Sequence, residues 1–407
     1  MNTTKKGFLK YAQSEHLMPQ TEMLETKRQR AKFSIGVPRE IAFQENRIAL
    51  VPEAIGVLIN NGHQVFVESN AGKSAHFPDH EYSEAGAQIV FSPEEIFKTD
   101  IIFKVAPPLL SEIEMLKPRS SIFSALNLPG QNNEYFKRLS AKKITALSYE
   151  HIKDRTNGYP VIRSLSEIVG TTAISLAAEY LSSIEYGKGK ILGGFSGITP
   201  AEVVIIGAGT VGEFAARTAL GMGALVKIFD DNIFKLRSIQ NKLNQRLFTS
   251  VIQQKVLIKA LRSADVVIGA LHSPSGSIPC VITEDMVREM PNGSVLIDVS
   301  IAQGGCIETS RCTNHTHPVF KKHGVTHYCV PNIASKVPHT ASYALSNFFA
   351  PIISRIGEEG SLSNLLKSDS GVRAGVYIYN GILTNEYISK TYNIPFQDIE
   401  LLMAAFH

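Results

Sequence analysis

The chain has 407 residues, 44% of them hydrophobic, and 41 Lys and Arg against 37 Asp and Glu give a formal charge of +4. That length calls for two or three domains with enough apolar material to fill their cores. A charge this small, without a basic stripe interleaved with aromatics, excludes nucleic acid as a principal partner, and the absence of an unbroken run of 18 or more apolar residues argues against a membrane span.

Residues 1–32 carry seven Lys and Arg and no clear apolar period, which reads as an N-terminal extension on the surface. Lysines without a following apolar stretch do not make a secretory signal. From Phe33 onward, short apolar runs alternate with helical stretches: FSIGV (33–37), HQVFVE (63–68), TDIIFKV (99–105), SSIFSAL (120–126) and KITALS (143–148). Such alternation predicts βαβ units and a largely parallel sheet. A long helix over 164–187 then connects to a second series of strands.

That second series, AEVVIIGAG (201–209), ALVKIFD (224–230), ADVVIGAL (264–271), SVLIDVS (294–300) and THYCVPN (326–332), is almost continuously apolar, as strands buried on both faces should be. A helix over 340–360 follows, and the tail to His407 reads as mainly helical. The expected architecture is α/β with two domains. A Rossmann-like doubly wound domain spans 164–338, and a discontinuous α/β substrate domain is built from 33–163 and 339–407. Cys280, Cys306, Cys312 and Cys329 lack the close paired spacing of a zinc site, so no metal is expected, and they fit reduced thiols in a cytoplasmic protein.

VVIIGAGTVGEFAARTALGMGALVKIFDD carries the most specific signal. Gly207, Gly209 and Gly212 form G-x-G-x-x-G between a strand and a helix, and Asp230 closes the next strand. The first glycine permits the tight turn, the second lets backbone approach a pyrophosphate, and the third allows helix-to-strand contact. Thr210 and Val211 then open the helix whose N-terminal N–H groups would face the phosphates. An acid at the position of Asp230 accepts from ribose hydroxyls and repels a 2′-phosphate, which favours NAD over NADP. Leu271 and Asn332 follow strands of the same sheet and are expected to face the nicotinamide half of the crevice, while Ser166 lies on the connecting helix.

Two cations stand at strand ends in the first domain: Arg47 in ENRIALVP and Lys104 in DIIFKVAPP. Together they could grip a small carboxylate, Arg with a planar fork and Lys with a point charge. The blocks GVPREIAFQENRIALVP, DIIFKVAPP, SEIVG, GAGTVG, GSVLIDVSIAQGGC and HYCVPNIASKVPHTASYALSN occur in this order from residue 33 onward. In this the chain resembles the alanine dehydrogenase family, which is related to the NAD-binding subunit of proton-pumping transhydrogenases. The resemblance implies a cleft between two domains, reversible NAD-dependent oxidative deamination of L-alanine to pyruvate and ammonia, and a homo-oligomer. It also implies that Arg47 binds the substrate carboxylate, that Lys104 contacts substrate near its carboxylate and carbonyl oxygen, and that Ser166 lies near the pyrophosphate.

Two positions depart from the family pattern. Asn127, in FSALNLP, replaces a catalytic histidine, and Ala302, in DVSIAQGG, replaces an aspartate, while Asp298 is retained. Asparagine hydrogen-bonds but does not shuttle a proton near neutral pH. His272 is a nearby candidate substitute. The expectation is therefore an alanine dehydrogenase of reduced or altered activity; the alternative is a catalytically degenerate NAD(H)-binding relative acting as sensor or scaffold.

Overall fold

The computed structural model describes residues 31–126, 130–273 and 278–405. The first part of the chain supplies β1 (Ser34–Val37), β2 (Gln64–Glu68), β3 (Gln88–Val90), β4 (Ile101–Phe103), β5 (Ser121–Ser124) and β6 (Thr145–Ser148). They lie in the order β3-β2-β1-β4-β5-β6, all parallel. The second series is β7 (Glu202–Ile206), β8 (Leu225–Phe229), β9 (Phe248–Ser250), β10 (Val266–Gly269), β11 (Val295–Asp298), β12 (Val319–Lys322) and β13 (Val325–Tyr328). Its order is β12-β13-β11-β10-β7-β8-β9, parallel except for β12 at the edge. Each sheet thus contains the doubly wound order 3-2-1-4-5-6, and each has a switch point beside its first strand, where the crevice at the strand C-termini receives ligands.

The tail differs from the sequence expectation. It contributes β14 (Val376–Tyr379), antiparallel to β6, and β15 (Ile382–Leu383), so the first sheet is completed by residues far along the chain. Val376, Tyr377, Ile378 and Tyr379 are all buried; four β-formers around a tight turn at Gly381, φ +84°, make a hairpin that helical periodicity does not reveal. The short strands β3, β9 and β12 were also unanticipated.

In the second sheet the apolar runs split by a period of two. Val203, Ile205, Val266, Ile268, Val295 and Ile297 face one core layer, and Val204, Ile206, Val267 and Leu296 face the other. This alternation across a pleated strand explains why the runs are continuous. Each such side chain, fully buried, contributes about 1.5–3 kcal/mol.

Three of the helices that place the site are α1 (Pro52–Asn60), α2 (Pro160–Ser182) and α3 (Thr210–Gly221). The connector α2 begins and ends earlier than expected. Pro160 fits its first turn, which needs no N–H, and beyond Ser182 the chain folds back, with Lys188 and Lys190 N–H donating to Leu181 O. By length and composition α2 could cross a membrane, something a search for an unbroken apolar run does not register. Its apolar residues Ala173, Ile174, Leu176, Ala177 and Leu181 belong to the core of the second sheet. The fourth, α4 (Pro338–Glu359), returns the chain to the first domain and packs on α1.

Candidate active site

At the switch point of the second sheet, β7 gives way to Gly207 at φ +114°, a conformation open to glycine. A Cβ on Gly207 would sit 2.4 Å from Ala270 O, and one on Gly212 would sit 1.9 Å from Gly207 O. Both glycines are therefore demanded by backbone approach. Gly209, the N-cap of α3, is different: a Cβ there would meet nothing within 4 Å. Open space thus lies before the free N–H groups of the first turn, which Thr210 and Val211 begin. Helix α2 closes against this turn at Gly170, where a Cβ would approach Val211 O to 2.4 Å. Ser166, half-buried, lies one helical turn before Gly170 on the same face.

Asp230 is buried at the end of β8. Its Oδ2 accepts from Ala208 N–H at 2.7 Å and its Oδ1 from Asn232 N–H at 2.8 Å, with Lys235 Nζ 3.9 Å from Oδ2. The carboxylate thus clamps the glycine loop to the next strand, and a carboxylate retains lone pairs for further donors. His272 is close enough to Lys235 that, after partial burial, this cation helps to lower its pKa.

Leu271 follows β10, and its carbonyl accepts from Ser300 Oγ at 2.9 Å. Ser300 belongs to a tight turn over Val299–Gln303, which Asp298 caps by accepting from Ser300 N–H at 3.0 Å. Gln303 clasps Ser273 through two hydrogen bonds of 3.2 and 3.1 Å. Asp298 is wholly buried and also accepts from Cys306 N–H at 3.3 Å. Burial raises its pKa despite these donors. This turn carries Ala302, whose methyl is exposed at the C-terminal edge of the sheet.

In the first domain, Arg47 lies in the loop before α1. Its Nε donates to Glu45 Oε1 at 2.7 Å and its Nη2 to Glu45 Oε2 at 2.6 Å. Burial alone would raise the Glu45 pKa, but the Arg47 charge and the hydrogen bonds from Arg47 and Asn332 hold it below its ordinary value. Three serines secure the loop: Asn46 N–H donates to Ser335 Oγ at 2.8 Å, Ile48 N–H to Ser342 Oγ at 2.9 Å and Val51 N–H to Ser346 Oγ at 3.1 Å. Ser342 and Ser346 are one turn apart on α4. Asn332 reaches the same place, its Nδ2 donating to Glu45 Oε2 at 3.0 Å.

Lys104 follows β4 at the switch point of the first sheet and has no exposed surface. Its ammonium lies 2.6 Å from Glu40 Oε2 and 3.4 Å from Glu112 Oε1. Glu40 also accepts from the N–H groups of Val105 and Ala106. Two flanking carboxylates outweigh burial and keep Lys104 protonated. One cation does not offset the burial of both acids, whose pKa values are raised. Lys104 is therefore a buried ionic centre, its ammonium held between two carboxylates.

The fold brings Arg47 and Asn332 together through Glu45, and gathers Gly207, Gly209, Thr210, Val211, Gly212 and Asp230 around one helix N-terminus. Asn127 lies outside the described residues. Sequence reasoning missed Glu40, Glu45, Glu112 and Ser335. Glu40 and Glu45 lie in the block that carries Arg47 and Ser335 just before α4, so acid or hydroxyl placement there was their only signal; Glu112, eight residues past Lys104, lies outside those blocks.

Comparison with known proteins adds to this geometry. The family model described as "Alanine dehydrogenase/PNT, N-terminal domain" matches residues 36–169, and "Alanine dehydrogenase/PNT, C-terminal domain" matches residues 173–386. An alanine dehydrogenase of Methanococcus maripaludis is 38% identical over 368 residues, covering 90% of this chain and 98% of that protein. One of Staphylococcus saprophyticus is 35% identical over 367 residues, covering 90% and 98%. A solved L-alanine dehydrogenase superposes with a TM-score of 0.83 at 33% identity, covering 88% of this chain and 99% of that one. A transhydrogenase from Sinorhizobium meliloti, with a TM-score of 0.75 at 22% identity over 87% of this chain and 99% of that one, shares the fold.

Proposed function

The chain belongs to the alanine dehydrogenase/PNT family, and from that premise we propose that it is an NAD-dependent amino-acid dehydrogenase acting on L-alanine or a close analogue. In the amination direction, pyruvate, ammonium, NADH and a proton give L-alanine, NAD and water. The observation that carries this reading is the pairing of an open helix N-terminus at Gly209 with a buried arginine fork at Arg47. The glycine loop and Asp230 suit a dinucleotide, which when bound supplies the hydride acceptor or donor.

Arg47 would take the substrate carboxylate. Glu45 occupies Nε and one Nη2 hydrogen, so the end of the guanidinium keeps three donors for a second bidentate partner. Lys104 would act from below, through Glu40 and the strand-end amides that Glu40 holds. Such a buried charge can favour negative charge developing on a substrate oxygen. Asn127 would hydrogen-bond to substrate, and protons would come from solvent. Losing one positioned acid or base costs a factor of about 10² to 10⁴, whereas orienting the reactants retains roughly 7 to 11 kcal/mol of catalysis. The expected enzyme is slow.

Purified protein should oxidise NADH in the presence of pyruvate and ammonium. Arg47→Lys, which keeps the charge but loses the planar fork, should raise KM for pyruvate by about 100-fold. Absence of turnover across short 2-oxo acids at high ammonium would refute the reading. The exposed methyl of Ala302 and the sealed Lys104 favour a second one: NAD(H) binding without turnover, in a sensor or scaffold. Tight NADH binding by calorimetry with no product at any ammonium concentration would establish it.

A further inference from the structure

We infer that Glu45 is a positioning residue that couples the nucleotide domain to the substrate arginine: it sets the Arg47 guanidinium only while Asn332 and Ser335 of the opposite wall are seated against it. The inference rests on the proposed role of Arg47, and it extends that role to a residue that touches neither substrate nor cofactor.

Glu45 is buried and both its oxygens are engaged. Oε1 accepts from Arg47 Nε at 2.7 Å and from the Arg47 backbone N–H at 3.1 Å, with Ser335 Oγ at 3.4 Å. Oε2 accepts from Arg47 Nη2 at 2.6 Å and Asn332 Nδ2 at 3.0 Å. One carboxylate therefore joins a side chain of the first domain to residues that follow β13 of the second sheet. The joint is reinforced on both sides. Gln44 Oε1 accepts from His315 N–H at 2.6 Å, Gln44 Nε2 donates to Thr316 Oγ1 at 2.9 Å, and Ser335 Oγ donates to Gln44 O at 2.8 Å. His315 Nε2 in turn lies 2.9 Å from Asn332 O.

An arginine has many rotamers, and holding it for an incoming carboxylate requires a partner that fixes its plane without consuming its outer donors. The side-on pair with Glu45 does this. Because the same carboxylate is shared with Asn332, separating the two walls would remove a constraint on Arg47 as well as a domain contact. Substrate affinity and domain seating are thereby linked through one group.

The test compares Glu45→Gln and Ser335→Ala with the full-length wild-type protein. A Gln at 45 keeps the size but offers one acceptor oxygen in place of two, and turns an N–H donor toward the guanidinium. KM for pyruvate should rise at least tenfold in Glu45→Gln and by a smaller factor in Ser335→Ala, with the Kd for NADH changed less than twofold. A readout that needs no turnover accompanies this: the rate at which phenylglyoxal modifies Arg47, followed by peptide mass spectrometry, should rise at least fivefold in Glu45→Gln. Unchanged labelling and unchanged KM would overturn the inference, and so would parallel weakening of NADH binding, the mark of a general structural loss. If Arg47 labelling responds as expected while wild-type protein neither turns over nor binds pyruvate, the positioning role stands and the dehydrogenase reading falls.

Discussion

Ala302 puts a methyl group at the strand end where a chemical group would be most useful, and Asp298, four residues earlier, cannot replace it. Asp298 is wholly buried and committed to capping the turn. Restoring an acid with Ala302→Asp should therefore raise the rate of NADH oxidation by about 10- to 100-fold if proton transfer limits turnover; an unchanged rate in a stopped-flow comparison would place the limit elsewhere. Arg47 and Lys104 illustrate what sequence spacing can and cannot reveal. Both were recognisable as cations in strand-to-helix connections, although only Lys104 directly follows its strand. Their partners were not: Glu40 precedes Lys104 by 64 residues, and nothing in a linear pattern says that the pair is sealed from solvent. Glu45, only two residues from Arg47, was equally hidden because an i,i+2 pair in a loop has no periodic signature.

At the scale of elements, the glycine loop separates folding from binding. Gly209→Ala should leave the melting temperature unchanged, because its Cβ meets nothing, yet weaken NADH binding by at least about tenfold by filling the space a pyrophosphate approaches. Gly212→Ala should do the reverse first: a Cβ 1.9 Å from Gly207 O must push α3 off β7, and scanning calorimetry should show a lowered melting temperature. Equal effects of the two substitutions on stability would contradict this division. The central strands of the second sheet, β7, β10 and β11, were legible because both faces are covered and Val and Ile run almost unbroken through them. The strands β3, β9 and β12, of three or four residues with mixed polarity, carry too few positions for a period of two to stand out. The hairpin of β14 and β15 was obscured by helices on both sides, and its strands exist because β6 offers an edge.

Across the whole molecule, two sheets share the same doubly wound order, the loop after β1 hydrogen-bonds to residues that follow β13, and the chain crosses between the sheets at α2 and α4. Stability should depend on pH through His327, which is buried between Thr309 Oγ1 at 2.8 Å and Val325 O at 3.0 Å. Burial lowers its pKa from 6.5 to about 4. The unfolded chain then binds a proton that the folded chain does not between those values. Stability is thus complete above pH 6.5 and falls as pH drops toward about 4, by about 3 kcal/mol if the full shift is realised. Urea unfolding across this range should show that loss, and it should shrink in His327→Gln; an identical loss in the variant would assign it to other groups. The central claim, that this site transfers hydride from NADH to the imine of a small 2-oxo acid despite Asn127 and Ala302, is tested most directly by incubating stoichiometric enzyme with pyruvate, ammonium and NADH deuterated at the transferable C4 position. Deuterium on the α-carbon of L-alanine, absent without enzyme and strongly reduced in Arg47→Lys, is the predicted result. NADH that stays bound and unoxidised, with no labelled alanine after prolonged incubation, would contradict it.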